Sequence, residues 1–140
     1  MSPVELLAHE ADCTRLCIDF ANAIDARDYS KFLDLFTDDG TLDRGGEVFR
    51  GRGEIQRFLE ARPARSVTRH LCSNIRIAFR SDHEAAGVCY ALFFQATAVA
   101  EIESPLAAAP PAVVEYHDAY LRTSAGWRIR ERKIKVVFKP

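Results

Sequence analysis

No stretch of this sequence stays apolar over the roughly 20 residues that a membrane-spanning helix requires, so no contact with a membrane is expected. Nor is there a surplus of positive charge. Lys and Arg number 19 against 20 Asp and Glu, a formal net charge of -1, which gives nucleic-acid binding little support. The densest basic run, RIRERKIK at 128–135, is interrupted by Ile129 and Ile134, the pattern of a strand with one solvated face. The opening MSPVELLAHEADC lacks the basic and apolar regions of a secretory signal. A cytoplasmic location is therefore expected.

Cysteine is sparse, with four residues at 13, 17, 72 and 89 and no C-x-x-C pair. Cys13 and Cys17 stand one helical turn apart, but two thiols make an incomplete metal set. They read as small core residues in a reducing compartment. The chain has no H-x-x-x-H spacing and no G-x-S-x-G turn, and GGEVFRGRG fits neither dinucleotide nor phosphate-loop spacing. With those signatures missing, neither a metal nor a cofactor is expected.

What is present suits one globular domain: 140 residues, 48% hydrophobic and 28% charged. From Val4 to Ala26, Leu16, Cys17, Phe20 and Ile24 fall on one helical stripe, with Asp25 at its edge. Asp28 is a natural N-cap for a second helix over YSKFLDLFTDD, ending at Asp39-Gly40. Two short extended pieces hinged at Gly45-Gly46 follow, and then a third helix, EIQRFLEA, stopped by Pro63.

From Ser66 the pattern turns strand-like, with runs at 66–80, 85–102, 112–123 and 126–138. Turn signals at Ser81-Asp82, in SPLAAAPP at 104–111 and at Ala125-Gly126 separate them, predicting an antiparallel meander. Helices first and strands after give an α+β architecture with helices on one face of a curved sheet.

On the strand SVTRHLCSNIRIAF, strict alternation puts Thr68, His70, Cys72 and Asn74 on one face and Leu71, Ile75, Ile77 and Phe79 on the other. The first face reads as a cavity side. The second reads as an outer face that would pair two copies in a homodimer. On the next strand Cys89, Ala91, Phe93 and Gln95 oppose Val88, Tyr90, Leu92 and Phe94, so Tyr90 and Gln95 cannot both reach one cavity. On 112–123, Val114, Tyr116, Asp118 and Tyr120 share a face.

The order of elements, the IDARDY segment closing the first helix, TRHLCSN, and the YLRTSAGWRIRERK hairpin together resemble the SnoaL-like branch of the nuclear transport factor 2-like superfamily, over nearly the whole chain. The nearest enzyme pattern is that of scytalone dehydratases. The resemblance implies a cone of three helices over a curved antiparallel sheet. It places Asp25 and His70 on that pattern's paired aspartate and histidine, Gln95 on its second histidine, and Ile24 on its tyrosine. Asp118 falls where cyclase-type members carry a strand aspartate.

The function implied is a cofactor-independent lyase or isomerase acting on a small, hydrophobic, cyclic, oxygenated substrate. His70 would be the base or acid and Asp25 its orienter, both bordering a cavity. Gln95, Tyr116 and Asp118 would contact the substrate, with Phe93 and Val114 in the same wall. The alternative is a binding or accessory subunit with the same pocket. Each residue also has a plain structural reading: His70 as a core histidine, Asp25 as a helix-end group, and Asp118 as a partner for Arg128 or Arg130.

Overall fold

The computed structural model describes residues 1–97 and 105–140. The predicted continuation of the second long strand to 102 and the start of the following loop at 104 lie outside them. Helix α1 spans Pro3–Ala26, opened by a capping box in which Ser2 and Glu5 satisfy each other's backbone amides. It closes on Arg27, whose left-handed backbone (φ 57°) turns the chain sharply. The Arg27 guanidinium then bonds the carbonyls of Pro63 and Ser66. This clamp fastens the end of α1 to the start of the sheet.

Asp28 caps α2 (Tyr29–Asp34) through the Lys31 amide. The helix stops five residues short of the predicted Asp39, because Phe36 begins strand β1 (Phe36–Arg44). Sheet pairing wins over helical spacing here: Phe36 sits opposite Ile129 and is fully buried. Strand β2 (Glu47–Arg50) returns through Gly45 and Gly46, both at positive φ, and α3 (Gly51–Glu60) begins three residues before its predicted start.

Four long strands follow, β3 (Ser66–Phe79), β4 (Glu84–Thr97), β5 (Ala112–Thr123) and β6 (Gly126–Phe138). They form the predicted meander within one six-stranded sheet ordered β2-β1-β6-β5-β4-β3. The sheet is mixed rather than wholly antiparallel, since β1 runs parallel to β6. A parallel neighbour requires a long crossover, which β2, α3 and the meander supply. The helices cover one face, and the core lies between them and the sheet.

The predicted alternation along β3 fails at one place. Ser73 pairs with Tyr90 and Arg76 with Val88, so Asn74 and Ile75 together oppose Cys89 alone. This is a β-bulge, and Asn74 occupies the left-handed region (φ 52°) that Asn tolerates better than branched residues. The extra residue reverses the faces beyond it. Ile75, Ile77 and Phe79, expected on the outer face, instead pack against the core. The outer face is built from Leu71, Leu92, Val113 and Phe138, which stand in register across four strands. No helix of the described residues is long and apolar enough to cross a membrane.

Candidate active site

Asp25 projects from the last turn of α1 toward β3, where three donors meet it. Its Oδ1 lies 2.6 Å from His70 Nδ1 and accepts the Thr68 hydroxyl at 2.8 Å. Its Oδ2 accepts the His70 backbone amide at 2.8 Å. Thr68 in turn receives Arg62 Nη2 at 3.4 Å, while Arg62 Nη1 bonds the Ile24 carbonyl and the Tyr29 hydroxyl. Thr68 and Arg62 were not singled out from sequence. The T-x-H alternation on β3 is the signal that places Thr68 beside His70.

Burial alone would raise the Asp25 carboxyl, but bonds from the His70 ring, the His70 amide and the Thr68 hydroxyl more than offset it. Its pKa lies below the usual carboxylate value. An ionised Asp25 only accepts hydrogen bonds, so His70 Nδ1 carries a proton, and the tautomer this selects has its lone pair at Nε2. The ring also stacks on Phe93, with centroids 5.2 Å apart and planes 15° apart. Its orientation is fixed by its edge and by its face.

His70 opens onto a pocket of about 700 Å3 between the helices and the sheet. Apolar groups dominate the lining: Phe20, Ile24, Leu42, Phe49, Phe58, Phe93, Val114, Ile134 and Val136, with Tyr116 beside them. Ser66, Thr68 and Gln95 supply polar atoms near His70. The volume suits a small organic ligand. Asp25 itself is not part of the lining; it stands behind His70, contrary to the expectation that both border the cavity.

Of the remaining candidates, Gln95, Tyr116, Phe93 and Val114 all line the pocket, whereas Tyr90 faces outward. The Gln95 amide lies 3.5 Å from the Ser66 hydroxyl. Burial pushes the Tyr116 phenol above its ordinary pKa, so it stays protonated as a donor. Asp118 is not in the lining. It lies beneath the pocket in a two-bond ion pair with Arg132, at 2.8 Å to Nε and 2.7 Å to Nη2, and accepts the Tyr120 hydroxyl at 2.5 Å.

The expected partners, Arg128 and Arg130, point elsewhere. Cross-strand register puts Arg132 directly opposite Asp118, after a shift between Ala119 and Tyr120. The Arg132 guanidinium is sandwiched between Phe20 and Tyr116, 4.2 and 4.1 Å from their ring centroids. Burial alone would lower its pKa, but Asp118 raises it well above the ordinary value, so the pair remains ionic. No group of three or more His, Cys, Asp or Glu suited to a metal occurs among the described residues.

The family model for SnoaL-like domains matches residues 5–133. Among curated protein sequences, none matches. Solved structures share the fold at low identity. LinA superposes with a TM-score of 0.85 at 19% identity, covering 99% of this chain and 92% of its own. A Mycobacterium tuberculosis protein of unknown function gives 0.83 at 24%, covering 97% and 76%. A Novosphingobium aromaticivorans protein named as a candidate scytalone dehydratase gives 0.80 at 20%, covering 96% and 87%.

Proposed function

This chain belongs to the family of SnoaL-like domains, and from that premise we propose that it is a cofactor-independent lyase or isomerase working by acid–base chemistry. The observation that carries the reading is the Asp25–His70 contact of 2.6 Å on a ring that opens into an apolar pocket. Structural neighbours named as hexachlorocyclohexane dehydrochlorinase and candidate scytalone dehydratase are named for eliminations, which favours the same class here.

In this mechanism neutral His70 removes a proton from a substrate carbon through Nε2. The C–H electron pair forms the new double bond, and the leaving group departs with its own pair. For an isomerisation, the imidazolium returns the proton to a different carbon. Asp25 stabilises the imidazolium without touching substrate, so it is a positioning residue. Gln95 and Tyr116 are the donors placed to hold a substrate oxygen that gains charge. Phe93, Val114 and the other apolar groups exclude water, which strengthens both interactions. The substrate class is small, cyclic, hydrophobic and oxygenated.

The test is a substrate screen against a panel of cyclic ketones, alcohols and halides, followed by His70→Ala. Loss of turnover by about 10²–10⁴-fold with an unchanged melting profile supports the reading. Equal turnover in the variant overturns the role of His70, and binding of panel members with no turnover in the wild type overturns the reading in favour of a binding subunit.

We further propose that a second copy of the chain covers the outer sheet face. Leu71 and Phe138 are 54% and 65% exposed, and with Leu92 and Val113 they make one apolar row across four strands.

A further inference from the structure

The pocket lining is mostly apolar, but it also holds three guanidinium groups, Arg44, Arg57 and Arg62, and the carboxylate of Glu47. Arg62 is committed to the Ile24 carbonyl, the Tyr29 hydroxyl and Thr68. Arg44 and Arg57 are not committed in this way. Both are exposed, and neither forms an ion pair with a carboxylate among the described residues.

Arg44 is nonetheless held in place. Its guanidinium carbon lies 4.6 Å from the centroid of Phe58, and Phe58 stacks on Phe49 with centroids 4.9 Å apart. Stacking uses the face of the guanidinium and leaves its in-plane N–H donors for a planar acceptor. Arg57 precedes Phe58 on α3 and reaches the same lining. Arg62 spends its donors within the protein, so Arg44 and Arg57 are the lining guanidinium groups with in-plane donors left for a ligand. A carboxylate fits the guanidinium fork, and the mostly apolar lining suits an acid whose remaining bulk is hydrophobic.

We propose that the ligands of this pocket are hydrophobic carboxylic acids. The ring system lies among Phe49, Phe58, Phe93 and Val114, and the carboxylate docks on Arg44 and Arg57, leaving the opposite end of the molecule toward His70. This assignment rests on the reading that the pocket is the substrate site. It also makes Arg44 and Arg57 determinants of specificity rather than solvated surface charges.

The experiment is calorimetric titration with 2-naphthoate and its neutral isostere 2-naphthamide. The proteins are the wild-type chain, the double variant Arg44→Gln/Arg57→Gln, and His70→Ala. In the wild type, naphthoate binds about tenfold or more tightly than the amide, and the preference narrows as salt is raised. In Arg44→Gln/Arg57→Gln the two probes come within about twofold, through loss of naphthoate affinity alone. In His70→Ala the preference persists, so the anion site is read independently of the proposed base.

Equal affinity for the two probes in the wild type overturns the proposal and leaves the catalytic reading standing. So does an undiminished preference in the double arginine variant. A preference lost only in His70→Ala places the anion on the imidazole and also overturns it. Binding of neither probe overturns it as well, while turnover in His70→Ala remains the separate test of the base.

Discussion

Asp25 and His70 are joined twice, once through the ring Nδ1 at 2.6 Å and once through the backbone amide at 2.8 Å. The carboxylate therefore fixes both the imidazole and the strand that carries it. Replacing Asp25 with Asn preserves shape but removes the charge that favours an imidazolium. With a substrate in hand, Asp25→Asn is expected to lower kcat by about 10²-fold or more, with KM little changed because Asp25 does not line the pocket. Steady-state kinetics beside a melting curve checks this.

The same carboxylate predicts an acid limb in stability. Its folded pKa is held below the ordinary value, and the unfolded value lies near 4. The stabilisation is fully present above the unfolded value and is lost as pH falls through the folded one. Urea unfolding between about pH 2 and 6 should show the limb flattened in Asp25→Asn, by up to about 1.4 kcal/mol per pH unit.

Beneath the pocket, Arg132 and Asp118 are 0% and 1% exposed at their side chains. Removing one partner strands a buried charge, so Arg132→Met is expected to cost about 3–5 kcal/mol. The double variant Asp118→Leu/Arg132→Met should cost less than the single one. Denaturant midpoints of the wild-type chain, Arg132→Met, Asp118→Leu and the double variant close the cycle.

At the bulge, Asn74 has φ 52°. Asn74→Gly is expected to leave stability within about 1 kcal/mol, while Asn74→Val costs about 1–3 kcal/mol because a branched residue resists that backbone. Thermal unfolding of the two variants separates these outcomes.

For the outer face, Leu71→Lys/Phe138→Lys introduces two charges into the exposed apolar row. Sedimentation should report a dimer for the wild-type chain and a monomer for the variant, with little change in secondary structure. A wild-type monomer at high concentration refutes the proposed pairing.

Much of the site was legible in the linear sequence because its signals are local. The T-R-H alternation of β3 put Thr68 and His70 on one face, and the helical stripe of α1 put Asp25 at its edge. The same alternation on β4 separated Gln95 from Tyr90. Asp118 looked equivalent to these residues, since a strand aspartate on an inward face reads the same whether it meets a ligand or an arginine. The bulge at Asn74 carried no clear mark, so the reversal that turned Ile75, Ile77 and Phe79 inward was missed.

The sequence by itself determined the α+β class, the element order, the meander and the cavity face of His70, because periodicity and turn residues act over a few positions. Only the tertiary structure decided that β1 lies parallel to β6, that Arg132 rather than Arg128 or Arg130 neutralises Asp118, and that Asp25 stands behind His70 rather than in the lining. These depend on cross-strand register and on the direction from which a helix approaches. Both are settled by packing distant segments together.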